Sequence, residues 1–155
     1  MIGASGNVGK LVALRLADTF NVHGVVRDKS RARAFLGDKV SLFEADLRGD
    51  DVTAELAPAL QGAKALVVCT GTTAFPTMAW SPTGRDGVAL PVLKALVDAR
   101  EAGGPGAIVN SAIGSLSDGG FNTPQVVDNE GNLKIIKAWE AAAGDARQRL
   151  VLLSS

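Results

Sequence analysis

Three glycines near the start of the chain have the spacing of a phosphate-binding loop. Gly3, Gly6 and Gly9 form the pattern G-x-x-G-x-x-G, and a helical pattern of apolar residues follows at once. The first glycine allows a tight turn, the second lets the backbone approach a pyrophosphate, and the third lets the helix pack closely. The N–H groups at the start of that helix attract phosphates. The pattern predicts dinucleotide binding, with a purely structural glycine turn as the alternative.

Two small polar residues lie within the same loop. Ser5 and Asn7 stand beside the second glycine, where their side chains can contact a bound phosphate. Asn7 is also a favourable N-cap for the helix that follows, because its side chain can accept a hydrogen bond from the first turn. We therefore predict that Asn7 caps this helix.

Basic residues follow the second predicted strand. An NAD-binding protein places Asp or Glu at this position to bind the ribose hydroxyls, whereas this chain has Arg27 there and Arg31 shortly after. A guanidinium group matches a 2′-phosphate in shape and charge, so the segment favours NADP over NAD. NAD remains the alternative because Asp28 could still reach a ribose. A solvated basic helix start is disfavoured, since cations oppose the helix dipole there.

The next two strand ends also carry candidate ligands. Asp46 and the apolar Leu47 follow the third predicted strand and could contact an adenine ring, with a plain turn role for Asp46 as the alternative. Gly71 follows the fourth strand and would let the backbone lie against the cofactor. Thr70 and Thr72 flank it and could bond to the ribose or nicotinamide, although such residues also serve ordinary turns.

Apolar, β-rich runs alternate with helical patterns along the chain. Counting the strand that ends at Ile2 as the first, the further predicted strands are 22–26, 40–45, 64–70, 106–112 and 149–153. The predicted helices are 8–19, 51–60, 88–102 and 126–143. This alternation predicts the α/β class, with a doubly wound parallel sheet, or Rossmann fold. Ligands bind beyond the carboxyl ends of such strands, so the segments 71–87 and 103–125 are predicted to be loops that wall a pocket.

Composition excludes several other classes of protein. The net charge of zero argues against general affinity for nucleic acid, and the single cysteine, Cys69, excludes an internal disulfide framework. Cys69 lies in an apolar run and is predicted to be a small buried hydrophobic residue. No apolar stretch approaches the ~20 residues of a membrane span, and no His, Cys and Asp cluster has metal-ligand spacing.

Taken together, these segments resemble the atypical, extended short-chain dehydrogenase/reductase superfamily, nearest to its NmrA-like and plastid NAD(P)-binding members. The resemblance covers most of the chain. It rests on GASGNVG (3–9), VVRDKSRA (25–32), EADLRGD (44–50), VVCTGTTAF (67–75), NTPQVVDNEGN (122–132) and RLVLLSS (149–155).

The resemblance implies a role for each matching position. The glycine loop would hold the pyrophosphate through Gly3, Ser5, Gly6, Asn7 and Val8. The basic residue after the second strand, Arg27 with help from Arg31, would select NADP. Asp46 and Leu47 would contact adenine. Ser154 and Ser155 would line the nicotinamide side and are the only candidates for catalytic residues.

Departures from the family pattern limit what it implies. Lys134 stands where the family often has Asn, and 103–121 has the character of an insertion. Many members use a Tyr-x-x-x-Lys pair beyond the Ser-Ser strand, in which tyrosine delivers a proton, but this sequence contains no tyrosine. It also begins inside the expected first strand. We therefore expect residues 1–155 to form a single, incomplete domain of a longer protein, truncated at both ends.

Two functions of different class follow. The first is an NADP-dependent oxidoreductase that transfers hydride between NADPH and a small organic substrate. The alternative is a non-catalytic NAD(P)-binding subunit or assembly factor of a larger organellar membrane complex; an NmrA-type redox sensor has less support. We expect a dinucleotide as the ligand, protein partners in the subunit case, no nucleic acid and no direct membrane span. The resemblance suggests a plastid location, with the cytoplasm as the alternative.

Overall fold

The computed structural model describes residues 1–49 and 51–153. Its strands are β1 (His23–Val26), β2 (Ser41–Glu44), β3 (Ala65–Val68) and β4 (Arg149–Leu152). Its α-helices are α1 (Asn7–Ala17), α2 (Lys29–Leu36), α3 (Val52–Leu60), α4 (Ala89–Asp98), α5 (Pro105–Asp118) and α6 (Asn132–Ala143). A π-helical segment, Gln125–Gly131, precedes α6. The described residues divide into a sheet unit, Met1–Thr70 with 131–153, and a helical unit, Gly71–Glu130.

The sheet unit contains parallel strands that lie on both sides of the first residues of the chain. β1 pairs with β2 and β3 pairs with β4, both in parallel. Ile2 joins the two pairs, because it bridges Val25 on one side and Val68 on the other. The order is therefore β2, β1, Ile2, β3, β4, with the sheet growing in both directions from its centre. This arrangement confirms the predicted doubly wound parallel sheet.

Consecutive strand residues supply the two faces of this sheet. Val25 belongs to one buried cluster, with residues of α3 and α6, and Val26 belongs to another, with residues of α1 and α2. Successive side chains of a strand point to opposite faces, so each cluster covers one face. Trp139 of α6 also donates a hydrogen bond from Nε1 to the Ala63 carbonyl, at 2.9 Å. Burial on both faces explains why β1 and β3 are short, continuous apolar runs, whereas all four residues of β4 are exposed.

The helical unit corrects one predicted strand and one predicted loop. Residues 106–112 are not a strand but part of α5, and α5 also fills much of the predicted loop 103–125. The helix begins with Pro105, a favourable first residue, and Ala112 and Leu116 are buried one helical turn apart. They pack in one cluster with Trp80 and residues of α4. A short apolar run does not distinguish a buried strand from a helix by itself.

The other predicted elements are confirmed to within a few residues. Helix α2 is an additional element that the sequence pattern did not predict. The predicted helix 126–143 corresponds to the π-helical segment followed by α6. Among the described residues, no helix combines the length and the apolar character needed to cross the lipid bilayer.

The packing of α1 against the preceding turn gives a first prediction. A Cβ atom at Gly9 would collide with the Gly3 carbonyl oxygen, which is backbone and cannot rotate away. We expect Gly9→Ala to lower the free energy of unfolding by about 1–3 kcal/mol, as overpacking does, in urea titration followed by far-UV circular dichroism.

A matched substitution in α5 serves as the control. A Cβ atom at Gly114 would meet nothing within 4 Å, and the residue lies inside the helix. Gly114→Ala should therefore leave stability unchanged or raise it by up to about 1 kcal/mol. Equal stability of the Gly9→Ala variant and the unmodified protein would contradict the packing argument.

Candidate dinucleotide site

The glycine loop is held against the end of β3 by its backbone. Gly3 has a φ of +76°, and a Cβ atom there would lie 2.9 Å from the Cys69 carbonyl carbon and from the Thr70 nitrogen. Both the left-handed conformation and the close approach therefore require glycine. The Gly6 amide donates to the Gly3 carbonyl at 3.1 Å and closes the turn. The loop thus leads directly from the central strand position into α1.

The N-terminus of α1 is left open. Gly6 is its N-cap, no side chain caps it, and its first turn, all of it described, contains no acidic residue. Within the described part of the chain, the amides of Asn7, Val8 and Gly9 have no hydrogen-bond acceptor. Ser5, Gly6, Asn7 and Val8 are exposed. Uncapped amides and the helix dipole together favour an anion at this point.

The predicted capping role of Asn7 is wrong. The helix begins at Asn7 itself, because the Lys10 amide already donates to the Gly6 carbonyl at 3.0 Å. The extended residue before the helix is therefore Gly6, which has no side chain to offer. This placement is what leaves the first amides of α1 available.

Gly6 differs from the other two glycines of the loop. A Cβ atom there would meet only the Gly3 carbonyl oxygen, at an ordinary contact distance of 3.4 Å. Its φ of −70° is available to every residue. The fold therefore requires glycine at positions 3 and 9 but not at position 6, where the backbone is exposed beside the open amides.

The end of β3 carries a buried hydroxyl group without a partner. The oxygen of the Thr70 side chain is inaccessible to solvent, and no hydrogen-bond partner for it exists among the described residues. Leaving such a group unsatisfied costs about 1–3 kcal/mol. Its neighbour Cys69 is only half-buried, and burial raises the pKa of its thiol, which stays protonated at neutral pH.

Gly71 and Thr72 belong to the helical unit, where they contact Asp128. The Thr72 amide donates a hydrogen bond to the Asp128 carboxylate, whose Oδ1 lies 3.4 Å from the position of a Cβ atom on Gly71. Burial raises the pKa of Asp128, and the hydrogen bond from Thr72 opposes that shift. The Thr72 hydroxyl is also buried without a partner among the described residues. Sequence analysis did not single out Asp128, although it lies in the segment 122–132 that carries the resemblance.

The end of β1 leads into α2 through Asp28. The Asp28 carboxylate accepts a hydrogen bond from the Arg31 amide at 2.8 Å and so caps the helix. Glu44, the last residue of β2, accepts one from the Lys29 amide at 3.0 Å. Arg27 and Arg31 are exposed, and in the range that the structure covers neither side chain forms a hydrogen bond or an ion pair. Two guanidinium groups are thus available beside the start of α2.

Asp46 forms an ion pair just after β2. The Arg48 side chain donates to its carboxylate twice, at 3.1 Å from Nε and 2.8 Å from Nη2. These hydrogen bonds, with a smaller contribution from the charge of Arg27, hold the pKa of Asp46 below its usual value. Leu47 is half-buried against the core. The Asp46 carboxylate also accepts from the Arg48 amide at 3.1 Å, and the Asp46 carbonyl accepts from the Gly49 amide at 2.9 Å, so its turn role is observed. Its contact with adenine stays a prediction.

The sheet unit brings most of the predicted residues to one edge. The glycine loop, Arg27, Asp46 and Thr70 each follow a parallel strand, and the carboxyl ends of parallel strands meet at one edge of a sheet. The predicted catalytic candidates Ser154 and Ser155 lie outside the described residues. In the described ranges, no cluster of three or more His, Cys, Asp or Glu residues could hold a metal ion.

A parallel sheet with an open, glycine-rich helix start at its carboxyl edge defines a dinucleotide-binding domain of the Rossmann type. A family model described as NAD(P)H-binding matches residues 3–155, and the chain belongs to this family. Such a domain is typical of the atypical short-chain dehydrogenase/reductase (NmrA-like) superfamily, and its cofactor is a nicotinamide dinucleotide. No curated protein matches the chain.

The Asp46 ion pair predicts a pH-dependent contribution to stability. Because the folded-state pKa is lowered, the contribution is present above the unfolded-state pKa of about 3.9 and is lost as pH falls through the folded-state value. We expect Asp46→Asn to cost up to about 1 kcal/mol at pH 7, since the Asp46 side chain is 45% exposed. In urea unfolding, the difference from the unmodified protein should shrink towards zero as the pH falls from about 4 to about 2. A difference of the same size at neutral and at acidic pH would exclude this origin.

Proposed function

We propose that the chain binds NADP(H) at the carboxyl edge of its sheet and serves hydride transfer to or from a small organic substrate. The observation that carries this proposal is the geometry of Gly6. The fold has no need of glycine there, yet a side chain would stand beside the three open amides of α1. A bound pyrophosphate supplies the missing reason, because it must approach the backbone at this residue.

The residues present fit such a cofactor. The amides of Asn7, Val8 and Gly9 would donate to the pyrophosphate oxygens, and the dipole of α1 would favour their charge. The Thr70 hydroxyl, which lacks a partner among the described residues, would bond to the ribose or nicotinamide. When bound, the cofactor supplies or accepts the hydride. This chain's residues bind and orient it.

The choice of NADP rests on charges at the end of β1. Arg27 and Arg31 are exposed, and the hydrogen bonds described for this segment use the backbone amide of Arg31, not its guanidinium. The carboxylate of Asp28, which would serve NAD by contacting ribose hydroxyls, already caps α2. Two available guanidinium groups and an engaged carboxylate favour a 2′-phosphate.

A second candidate function is that of a non-catalytic NAD(P)-binding subunit. It needs only the cofactor-binding features described above, the open amides of α1 and the exposed arginines after β1. The two candidates differ in an observable way. A reductase oxidises NADPH in the presence of carbonyl or quinone acceptors, whereas a binding subunit holds NADPH without turnover and copurifies with its complex. The second candidate function would place the protein in an organelle, as part of a membrane complex.

The role of Gly6 gives a test of cofactor binding that is separate from folding. We expect Gly6→Ala to lower the free energy of unfolding by no more than about 1 kcal/mol, the cost of alanine in place of glycine at an N-cap, because the methyl group itself has room in the free protein. The same methyl group should weaken NADPH binding about tenfold or more, measured by nicotinamide fluorescence. Gly114→Ala is the control and should bind NADPH normally. Unchanged affinity in the Gly6→Ala variant would refute the site.

The preference for NADP is tested at Arg27. Loss of a charge-assisted hydrogen bond costs about 1.5–3 kcal/mol, so Arg27→Ala should weaken NADPH binding roughly 10- to 100-fold and leave NADH binding unchanged. Arg15→Ala is a matched control, since Arg15 is an exposed arginine in the last turn of α1. Equal losses for NADPH and NADH would remove the argument for a 2′-phosphate site.

A further inference from the structure

Two carboxylates occupy the start of α2, where the proposed NADP site would hold the 2′-phosphate. Asp28 accepts from the Arg31 amide at 2.8 Å, and Glu44 accepts from the Lys29 amide at 3.0 Å. Asp28 is the local N-cap, three residues before its donor. Glu44 comes from a different strand, 15 residues further along the chain. The Lys29 amide in the first turn of α2 therefore has a carboxylate partner, Glu44, in addition to the N-cap Asp28.

The register of the sheet places Glu44 beside Arg27. Glu44 pairs with Val26 across the parallel strands β1 and β2, and the next amide of that strand, Ala45, donates to the Val26 carbonyl at 3.1 Å. Arg27 is the residue directly after Val26. Glu44 and Lys29 are both exposed, so their contact lies at the surface.

A phosphate bound by Arg27 and Arg31 would meet this carboxylate. The two arginines flank residues 28–30 in the chain, and the Lys29 amide between them already donates to Glu44. The amides at a helix N-terminus ordinarily donate to a bound phosphate, but here the Glu44 carboxylate already accepts from the Lys29 amide. The guanidinium groups must therefore provide the attraction, and Glu44 opposes it.

We propose that Glu44 is a specificity-determining residue that limits the preference of this chain for 2′-phosphorylated over unphosphorylated cofactor. The proposal rests on the proposed NADP site. It assigns to Glu44 a repulsive contribution that acts on the 2′-phosphate and not on the rest of the dinucleotide. Asp28 does not have this separable role, because its removal would also uncap α2.

Substitutions of Glu44 can separate the effect of its charge from the effect of its hydrogen bond with the Lys29 amide. Glu44→Gln keeps an oxygen that can accept from Lys29 but removes the charge. Glu44→Ala removes both and frees the amide. Asp38→Asn is the matched control, because it removes one exposed carboxylate just beyond the other end of α2.

The experiment compares 2′,5′-ADP with 5′-AMP by isothermal titration calorimetry, using the full chain. We expect Glu44→Gln to raise the affinity for 2′,5′-ADP about three- to tenfold and to leave that for 5′-AMP unchanged. Glu44→Ala should gain at least as much, and Asp38→Asn less than about twofold, the size expected of a distant, screened charge. The gain should shrink in about 0.5 M salt, where the screening length is on the order of 4 Å.

The outcomes distinguish this proposal from the one on which it rests. If the unmodified chain binds both probes and neither Glu44 variant changes the ratio of their affinities, the role of Glu44 is refuted and the cofactor site stands. If a variant raises both affinities equally, Glu44 does not act on the 2′-phosphate. If the unmodified chain binds neither probe, the cofactor site fails, and the role of Glu44 with it.

Discussion

The sheet unit depends on a close backbone contact between the glycine loop and the end of β3. Gly3 lies so near Cys69 and Thr70 that no Cβ atom fits between them, and a Cβ atom on Gly9 would overlap the Gly3 carbonyl oxygen. These contacts bring the start of α1 to the carboxyl edge of the sheet. The central strand position, where Ile2 bridges Val25 and Val68, is buried by helices on both faces. Packing within the chain itself thus fixes the position of the open amides.

The three glycines divide into two kinds on physical grounds. Gly3 and Gly9 are required by the fold, since a methyl group at either would strike backbone. Gly6 has ordinary dihedral angles and room for a methyl group in the free chain. Its exposed backbone and the unpartnered Thr70 hydroxyl are both features that packing of the described residues leaves unexplained and a bound dinucleotide explains. Gly3 and Gly9 thus serve the fold, whereas Gly6 would serve the approach of the cofactor.

The adenosine end of the proposed site is governed by how its charges are paired. Asp46 is held by Arg48, Asp28 caps α2, and Glu44 accepts from Lys29. Each of these carboxylates therefore has a partner within the chain, whereas no described residue forms a hydrogen bond or an ion pair with the guanidinium group of Arg27 or of Arg31. Selectivity would arise from a balance between the two arginines and the nearest carboxylate.

Sequence alone determined the class of fold and indicated the edge of the sheet that carries the candidate site, because buried parallel strands are continuous apolar runs and the glycine spacing is local. It did not determine whether 106–112 is a strand or a helix, since a short apolar run suits either and packing in the helical unit decided it. It also placed the cap of α1 at Asn7, one residue too late. The contacts of Glu44 with Lys29 and of Thr72 with Asp128 join residues far apart in the chain. Only strand register and tertiary packing bring such residues together, so no local pattern could reveal them.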